Sequence, residues 1–448
     1  MLVPIALLLL LIPLALGAAQ LLAFRPVLSL GLLMIAPLAW ILRRHPYLPA
    51  VGFVILSYFR LHELYPPAMS WRLPQLFAVL AIMTVGLGLL VRGRAWLYLP
   101  AQGKLLLLFG GLTAIGVILA TNRSLAIGYF TATWVKILLM TFIIAWLVDT
   151  RRKLNVVAWM VLLSGAVVAV VAIYNKLNGI GIIEGTRVTI GRSYGSVLGD
   201  PNDLALVLLF PLSFAIGRLC APGWQRGVAA MIAVLVCWAI IATQSRGGLL
   251  GIVSVSGFFV YLRWGLNVKV IAAGALALMI LVAAAGISGR SSGGAAEGGV
   301  DASAMGRIYA WQAAWSMASS HPLTGVGLNN FYNNYYFHSP HWDGKNHAVH
   351  STWFDVLAQT GFLGFAVFVC FYLSLLRQGW RNLRALSGDP HVYHWSCAVM
   401  AGLIGFGVGG TFLTQGFTWP LYIYTALTWS LTHLVSTPKE GLWHAKDS

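Results

Sequence analysis

The chain has 448 residues, of which 59% are hydrophobic and 9% charged, whereas a soluble domain carries about 25% charged residues. Apolar runs long enough to cross a hydrocarbon core of about 30 Å recur along it. That pattern excludes a β-barrel and leaves an all-α, polytopic membrane protein of roughly 12 to 14 transmembrane helices. The net charge of +17 would point to nucleic acid in a soluble protein; here no nucleic acid is expected, the lipid bilayer is the partner, and basic residues retain cytoplasmic loops.

In chain order, the first run, MLVPIALLLLLIPLALGAAQ, lacks a basic start and reads as an uncleaved helix over 2–20. Further spans are predicted at 27–42, 48–61, 73–91, 104–121, 126–148, 155–175, 202–219, 227–244, 247–264 and 268–287. The last three are predicted at 350–376, 393–413 and 419–436. The chain thus divides into N-terminal transmembrane helices with short loops (1–287), a loop region (288–349), and C-terminal helices with a cytoplasmic tail (350–448). Basic turns at 43–44, 92–94 and 150–153, with Arg218/Arg226, Arg263/Lys269 and Arg377/Arg381/Arg384, all fall on one side, which the positive-inside rule makes cytoplasmic.

Three segments of interest fall on the opposite, non-cytoplasmic side. In EGTRVTIGRSYGSVLGDPND (184–203), Asp200 is read as a helix N-cap with Pro201 at the first helical position, in preference to a metal ligand. The turn TQSRGG (243–248) sets Arg246 between Ser245 and two glycines, which let a charged group and its backbone approach a ligand. The long loop opens Gly/Ser-rich and continues into a short amphipathic helix capped by Asp301 or Ser303. This helix carries Arg307 in its first turn and Ile308, Trp311, Trp315 and Ala318 on one face, and stops at Pro322 and Gly325. Its apolar face is expected to rest on the membrane-side surface. The aromatic and Asn-rich run 329–342, with His338, either stacks on sugar rings or forms an interfacial belt.

Arg187, Arg192, Arg246, Arg290 and Arg307 all lie on the side where positive-inside topology expects few such charges. The guanidinium fork matches phosphate oxygens, so a cluster of them can hold a diphosphate; singly, each can also anchor a helix end in headgroups. Carboxylates are too few on that side for a hard-cation cage, so the reaction is expected to need no metal. The four cysteines lack ligand spacing.

In HAVHSTWFDVLAQTGFLGF (347–365), His350 and His347 are candidate general bases, being largely unprotonated at neutral pH. If the helix runs on from His347, then His347, Ser351 and Asp355 share a stripe while His350 aligns with Phe354 and Leu357. Asp355 is then a partner for His347 or Ser351 rather than for His350. Capping and interfacial polarity account for one histidine, but poorly for two with an inward Asp.

Taken together, TQSRGGLLGI, GRIYAWQAAWSMASSHPLTGVGLNNF and HSTWFDVLAQTGFLGF resemble the O-antigen ligase and polymerase superfamily of bacterial envelope enzymes, over about the last half of the chain. The resemblance implies an inner-membrane glycosyltransferase with a periplasmic active site. Its donor would be an undecaprenyl-diphosphate-linked glycan, and its acceptor lipid A-core, another glycan or a protein; the ligase reading, with lipid A-core, is preferred. By motif position, the essential arginines fall on Arg246 and Arg307, less securely on Arg192, and the essential histidine on His350; His347, His338, Arg187 and Arg290 remain candidate substrate contacts. Here "HS" replaces the commoner "HN". The activated lipid diphosphate needs no ATP, in keeping with a sequence without a phosphate loop, and no cofactor is expected. A lipid-glycan transporter or flippase is the alternative from another class. Such proteins place ionisable groups near the midplane, often with internal repeats, whereas Lys136 is nearly the only candidate within a span and no repeat is visible.

Overall fold

The computed structural model describes residues 40–92, 97–285 and 302–436. The predicted spans at 2–20 and 27–42 lie outside these, apart from Trp40, Ile41 and Leu42, as do Arg290, Asp301, the side chain of Ser303, most of the turn at 92–94 and the C-terminal tail. The fold is all-α and polytopic, with a single two-stranded antiparallel sheet among the described residues.

The helices are α1 (Leu48–Tyr58), α2 (Leu73–Arg92), α3 (Ala101–Ile118), α4 (Arg123–Tyr129) and α5 (Val135–Leu147), the last two joined by a π-helical turn over 130–134. There follow α6 (Arg151–Leu177), the strands β1 (Ile182–Ile183) and β2 (Arg187–Val188), α7 (Pro201–Leu219), α8 (Gln225–Ala242), α9 (Arg246–Trp264) and α10 (Val268–Ala284). The chain closes with α11 (Ala302–Ser320), α12 (Phe331–His338), α13 (Thr352–Ala385), α14 (Pro390–Gly410) and α15 (Trp419–Ser436). Nine helical stretches among the described residues are long and apolar enough to cross a bilayer; α1 and α10 are shorter apolar helices. From α1 onward every predicted span meets an observed helix, with ends displaced by a few residues except at the C-terminal end of α13, which runs on to Ala385 where 376 was predicted.

The core lies where α7, α14 and α15 meet. Nearly all of α7 is buried, as are Pro420 to Leu431 of α15 without a break. By contrast α10 buries none of its residues, and Ile271, Met279 and Ile280 face outward. Such an exterior suits hydrocarbon, where apolar side chains lose nothing by exposure. Polar ties hold the two ends. At one, Asn330 bonds Thr121 and Asn122; at the other, Asn382 bonds Thr428 and Thr432, and Arg151 pairs with Asp389 at 2.8 Å. Helix alternation brings Arg151, Arg218, Arg263 and Arg384 to this second end and Arg187, Arg246 and Arg307 to the first.

Two expectations need correction. The helix carrying Arg307 does stop before Pro322, and of its expected apolar face Trp311 and Ala318 do pack inward, but Ile308 and Trp315 are 37% and 56% exposed, while Ala310, Ala313, Ala314 and Met317 are fully buried. Small side chains let α11 approach α13 closely, and their shared core includes Val326, Phe331, Tyr335, Val349 and Ala358. Arg307 consequently sits in the second turn rather than the first.

The second correction concerns 347–365. Residues 345–351 are not helical; α13 begins at Thr352 with Ser351 as N-cap, and it breaks at Gly361, where φ is +68°. The break is clasped from outside. Phe362 N–H donates to the Pro322 carbonyl at 2.8 Å, and Val326 N–H donates to that of Ala358 at 2.9 Å. A Cβ at Gly361 would lie 2.5 Å from the Pro322 oxygen, and one at Gly325, also at positive φ, 2.3 Å from the Ala358 oxygen. The two glycines let α13 and the segment after α11 touch backbone to backbone.

Gly361→Ala should therefore destabilise the protein by at least about 1–3 kcal/mol, the cost of holding an L-residue in a backbone conformation that essentially only glycine adopts, before any clash is counted. A Tm in detergent equal to that of the parent protein would show that the clasp does not hold the fold.

Candidate active site

The turn between α14 and α15, Thr411 to Gln415, organises the site. The Thr352 hydroxyl donates to the Leu413 carbonyl at 2.8 Å and accepts from Gln415 N–H at 3.2 Å. Trp353 Nε1 donates to Thr411 Oγ1 at 3.1 Å, and His350 N–H donates to Thr414 Oγ1, also at 3.1 Å. These bonds fix the entry to α13 and hold His350 at φ +48°, in the left-handed region. The same turn receives two further elements. The Arg307 guanidinium lies over the Phe412 ring, 5.7 Å from its centroid, and a Cβ on Gly247, beside Arg246, would meet Phe412 Cβ at 3.3 Å. Arg246, Arg307 and His350, from three distant parts of the chain, thus surround one turn.

Burial lowers the pKa of His350 from the usual histidine value. The Arg307 charge lowers it further, Asp200 opposes with a negative charge, and His347 adds a small lowering. His350 is therefore neutral at pH 7 and able to accept a proton. Asp200 caps α7, its carboxylate accepting from Asn202 N–H at 2.7 Å and Asp203 N–H at 3.3 Å, with Pro201 at the first position as expected. A cap of this kind contributes about 1 kcal/mol.

The other candidates have different surroundings. His347 does not share a stripe with Ser351 and Asp355, because that segment is not helical; its Nε2 faces both Asp343 carboxylate oxygens, at 3.0 and 2.9 Å. This contact pulls the Asp343 pKa below the usual carboxylate value. His338 bonds Ser316 Oγ at 3.0 Å, tying α12 to α11, and burial with the neighbouring His321 lowers its pKa. Arg187 is buried at 3% exposure, donating to the Thr243 carbonyl at 2.9 Å and to Asn202 Oδ1 at 2.8 Å. Arg192 is exposed, with Nη1 donating to the Gly199 carbonyl at 3.1 Å. Arg246 is exposed at the first position of α9, capped by Ser245, whose Oγ accepts from Gly248 N–H at 3.2 Å. Gly248 serves helix packing: a Cβ there would lie 2.7 Å from that of Ala205.

Beside His350 a cavity of about 180 Å³ is lined by Tyr129, Asn329, Asp355, Gln359 and Thr414. Asp355 is bonded not to a histidine but to Gln359 Nε2, while Gln359 Oε1 accepts from Asn329 N–H. A second cavity of about 260 Å³, also touching Tyr129, reaches Arg60, Asp203 and Gln415. Gln415 Nε2 donates to Asp203 Oδ1 at 2.6 Å. Sequence reasoning missed Thr414, Gln415 and Gln359, and offered Asn329 only as part of the run 329–342. The available signal was TFLTQGF, a polar interruption between two apolar spans, which reads as a bare linker until its partners are known.

Residues 231–369, from within α8 to just past the Gly361 break, match the family described as O-antigen ligase. The match encloses Arg246, Arg307 and His350. This segment is similar to the O-antigen ligase family. No curated protein matches the chain. The similarity covers less than half of the chain, and members of the matched family are membrane glycosyltransferases and ligases. The matched segment ends before the 411–415 turn, so part of what supports its histidine comes from outside it.

Two measurements test this geometry. The His350 ring, followed by NMR in isotope-labelled protein, should titrate below 6.5, and in Arg307→Gln its midpoint should rise, because a charge opposing the imidazolium is gone. An unmoved midpoint would place Arg307 out of electrostatic reach. Thr414→Val removes the acceptor for His350 N–H; kcat should fall about tenfold with donor KM unchanged, a loss within the cost of one unsatisfied polar group, and Thr414→Ser should restore it. Loss through KM alone would deny Thr414 a positioning role.

Proposed function

We propose that the chain is an inverting O-antigen ligase acting on the periplasmic face of the inner membrane. It moves a glycan from undecaprenyl diphosphate to a hydroxyl of lipid A-core. The observation that carries this reading is the gathering of Arg246, Arg307 and a neutral His350 around the 411–415 turn, inside or against the matched segment.

In this mechanism the His350 imidazole takes the proton of the acceptor hydroxyl. The oxygen attacks C1 of the donor sugar from the face opposite the diphosphate, and the bond from C1 to the diphosphate oxygen breaks with its electron pair going to the leaving group. Arg246 and Arg307, with Arg192 at the rim, stabilise the charge that builds there. The same Arg307 depresses the histidine pKa, so the group that favours the anionic leaving group also keeps the base unprotonated. Positive-inside topology supports the orientation, since the end carrying Arg151, Arg218, Arg263 and Arg384 is then cytoplasmic. Arg187 and His338, engaged with Thr243, Asn202 and Ser316, act as positioning residues. His347, held by its Asp343 partner, is offered as a further substrate contact.

The test is reconstitution of the purified chain with undecaprenyl-diphosphate-linked glycan and, in turn, lipid A-core, a second lipid-linked glycan and a protein acceptor. Lipid A-core should gain the mass of the glycan, with release of lipid diphosphate. In His350→Ala this should fall by about 10²- to 10⁴-fold with the protein still folded. Growth of the glycan chain without transfer to lipid A-core would make the protein a polymerase, and unconsumed donor would return it to the transporters.

A further inference from the structure

At the end of the bundle opposite the candidate active site, a cavity of about 410 Å³ opens between the starts of α6 and α14 and the turn joining α7 to α8. Its size lies within the range of about 300–1,000 Å³ typical of small-molecule sites. Arg151, Arg152, Asn155, Arg218, His391 and His394 line it. Arg151 is paired with Asp389, but Arg218 is a buried cation, 6% exposed, whose partners are all neutral. It donates to Gln225 Oε1 at 3.1 and 2.7 Å and to the carbonyls of Ala221 and Pro222 at 3.1 and 3.0 Å. A buried charge with dipolar partners only leaves its field to act on whatever enters beside it.

His394 supplies the second observation. It is 7% exposed, and its Nδ1 lies 3.0 Å from the Pro390 carbonyl, which can only accept, so Nδ1 carries the hydrogen. Nε2 is buried without a partner in a residue that lines the cavity. Such an atom is satisfied by a hydroxyl donor when the ring is neutral, or by an oxyanion when it is protonated. The cavity thus asks for a phosphate oxyanion with a hydroxyl attached nearby. Trp224, in the same α7–α8 turn, is 81% exposed, a position suited to the headgroup layer and not to bulk water.

We propose that this cavity binds the headgroup of an anionic glycerophospholipid, with the phosphate against Arg218 and Arg152 and a headgroup hydroxyl on His394 Nε2. Basic pockets between transmembrane helices recognise headgroups in this way. The site shares no lining residue with the cavities at the other end, so its existence does not depend on the reaction proposed above.

The test uses the full-length protein, delipidated in detergent and titrated by native mass spectrometry with phosphatidylglycerol and with phosphatidylcholine. Phosphatidylglycerol should bind at least about fivefold more tightly. Arg152→Gln, at the exposed rim, should lose about fivefold, the effect of one basic residue at a headgroup. His394→Leu should also weaken binding, and Arg123→Gln, at the opposite end, should not. If His394→Leu fails to fold, Arg152→Gln decides alone. Equal binding of the two lipids, or undiminished binding in Arg152→Gln, would overturn the proposal. So would displacement of phosphatidylglycerol by inorganic phosphate at comparable concentration, which would make this a site for free anions.

Discussion

The hydrogen bonds between the entry to α13 and the turn from Thr411 to Gln415 are what the rest of the active end depends on. Thr352 is shared between the Leu413 carbonyl and Gln415 N–H, and His350 is bonded through its backbone to Thr414. Once these are made, α13 cannot begin earlier and His350 cannot join the helix. Its imidazole is then carried by a strand of chain bound on one side to the bundle and on the other to the α11 segment. Phe412, in the same turn, seats Arg307. A threonine-rich turn between two apolar helices thus supports a base and a cation that come from elsewhere in the chain.

The clasp at Gly361 complements this. The segment following α11 lies outside the spans, yet it meets the bundle backbone to backbone through Pro322, Val326, Ala358 and Phe362. Together with the alanine face of α11, this makes the helix bearing Arg307 part of the same packed body as α13. Arg307 and His350 therefore keep their relation without depending on a covering loop.

Much of the fold was legible in the sequence, because span length and apolarity are local properties: every described span but one was foreseen to within a few residues, α13 running nine residues further, and the Asp200–Pro201 cap is where the pattern put it. Arg246, Arg307 and His350 were also singled out, through the side on which they fall and through the resemblance of their motifs. What could not be read was pairing. The stripe joining His347, Ser351 and Asp355 assumed a helix that tertiary hydrogen bonds from Thr414 and Leu413 prevent. The buried face of α11 was read only in part, Trp311 and Ala318 being packed inward, because hydrophobicity also favours Ile308 and Trp315, while close approach to α13 favours Ala310, Ala313 and Ala314. Arg187, isolated on paper, is joined to Thr243 and Asn202 by contacts far apart in sequence.

Among the described residues the positive-φ positions not occupied by glycine are Arg60, Arg72, Glu184, Gln244, Asn329 and His350, and by helix alternation all lie at the end bearing the candidate site. Each costs on the order of 1–3 kcal/mol relative to an unstrained backbone. Gln244 stands two residues before Arg246, Asn329 meets the Gln359 that bonds Asp355, and His350 is the proposed base. Conformational strain is thus concentrated where the chemistry is proposed, while the opposite end is free of it among these residues. Glycine at such positions would relax the chain and delete the side chain in the same step, so here thermal robustness and catalytic competence pull the sequence in opposite directions.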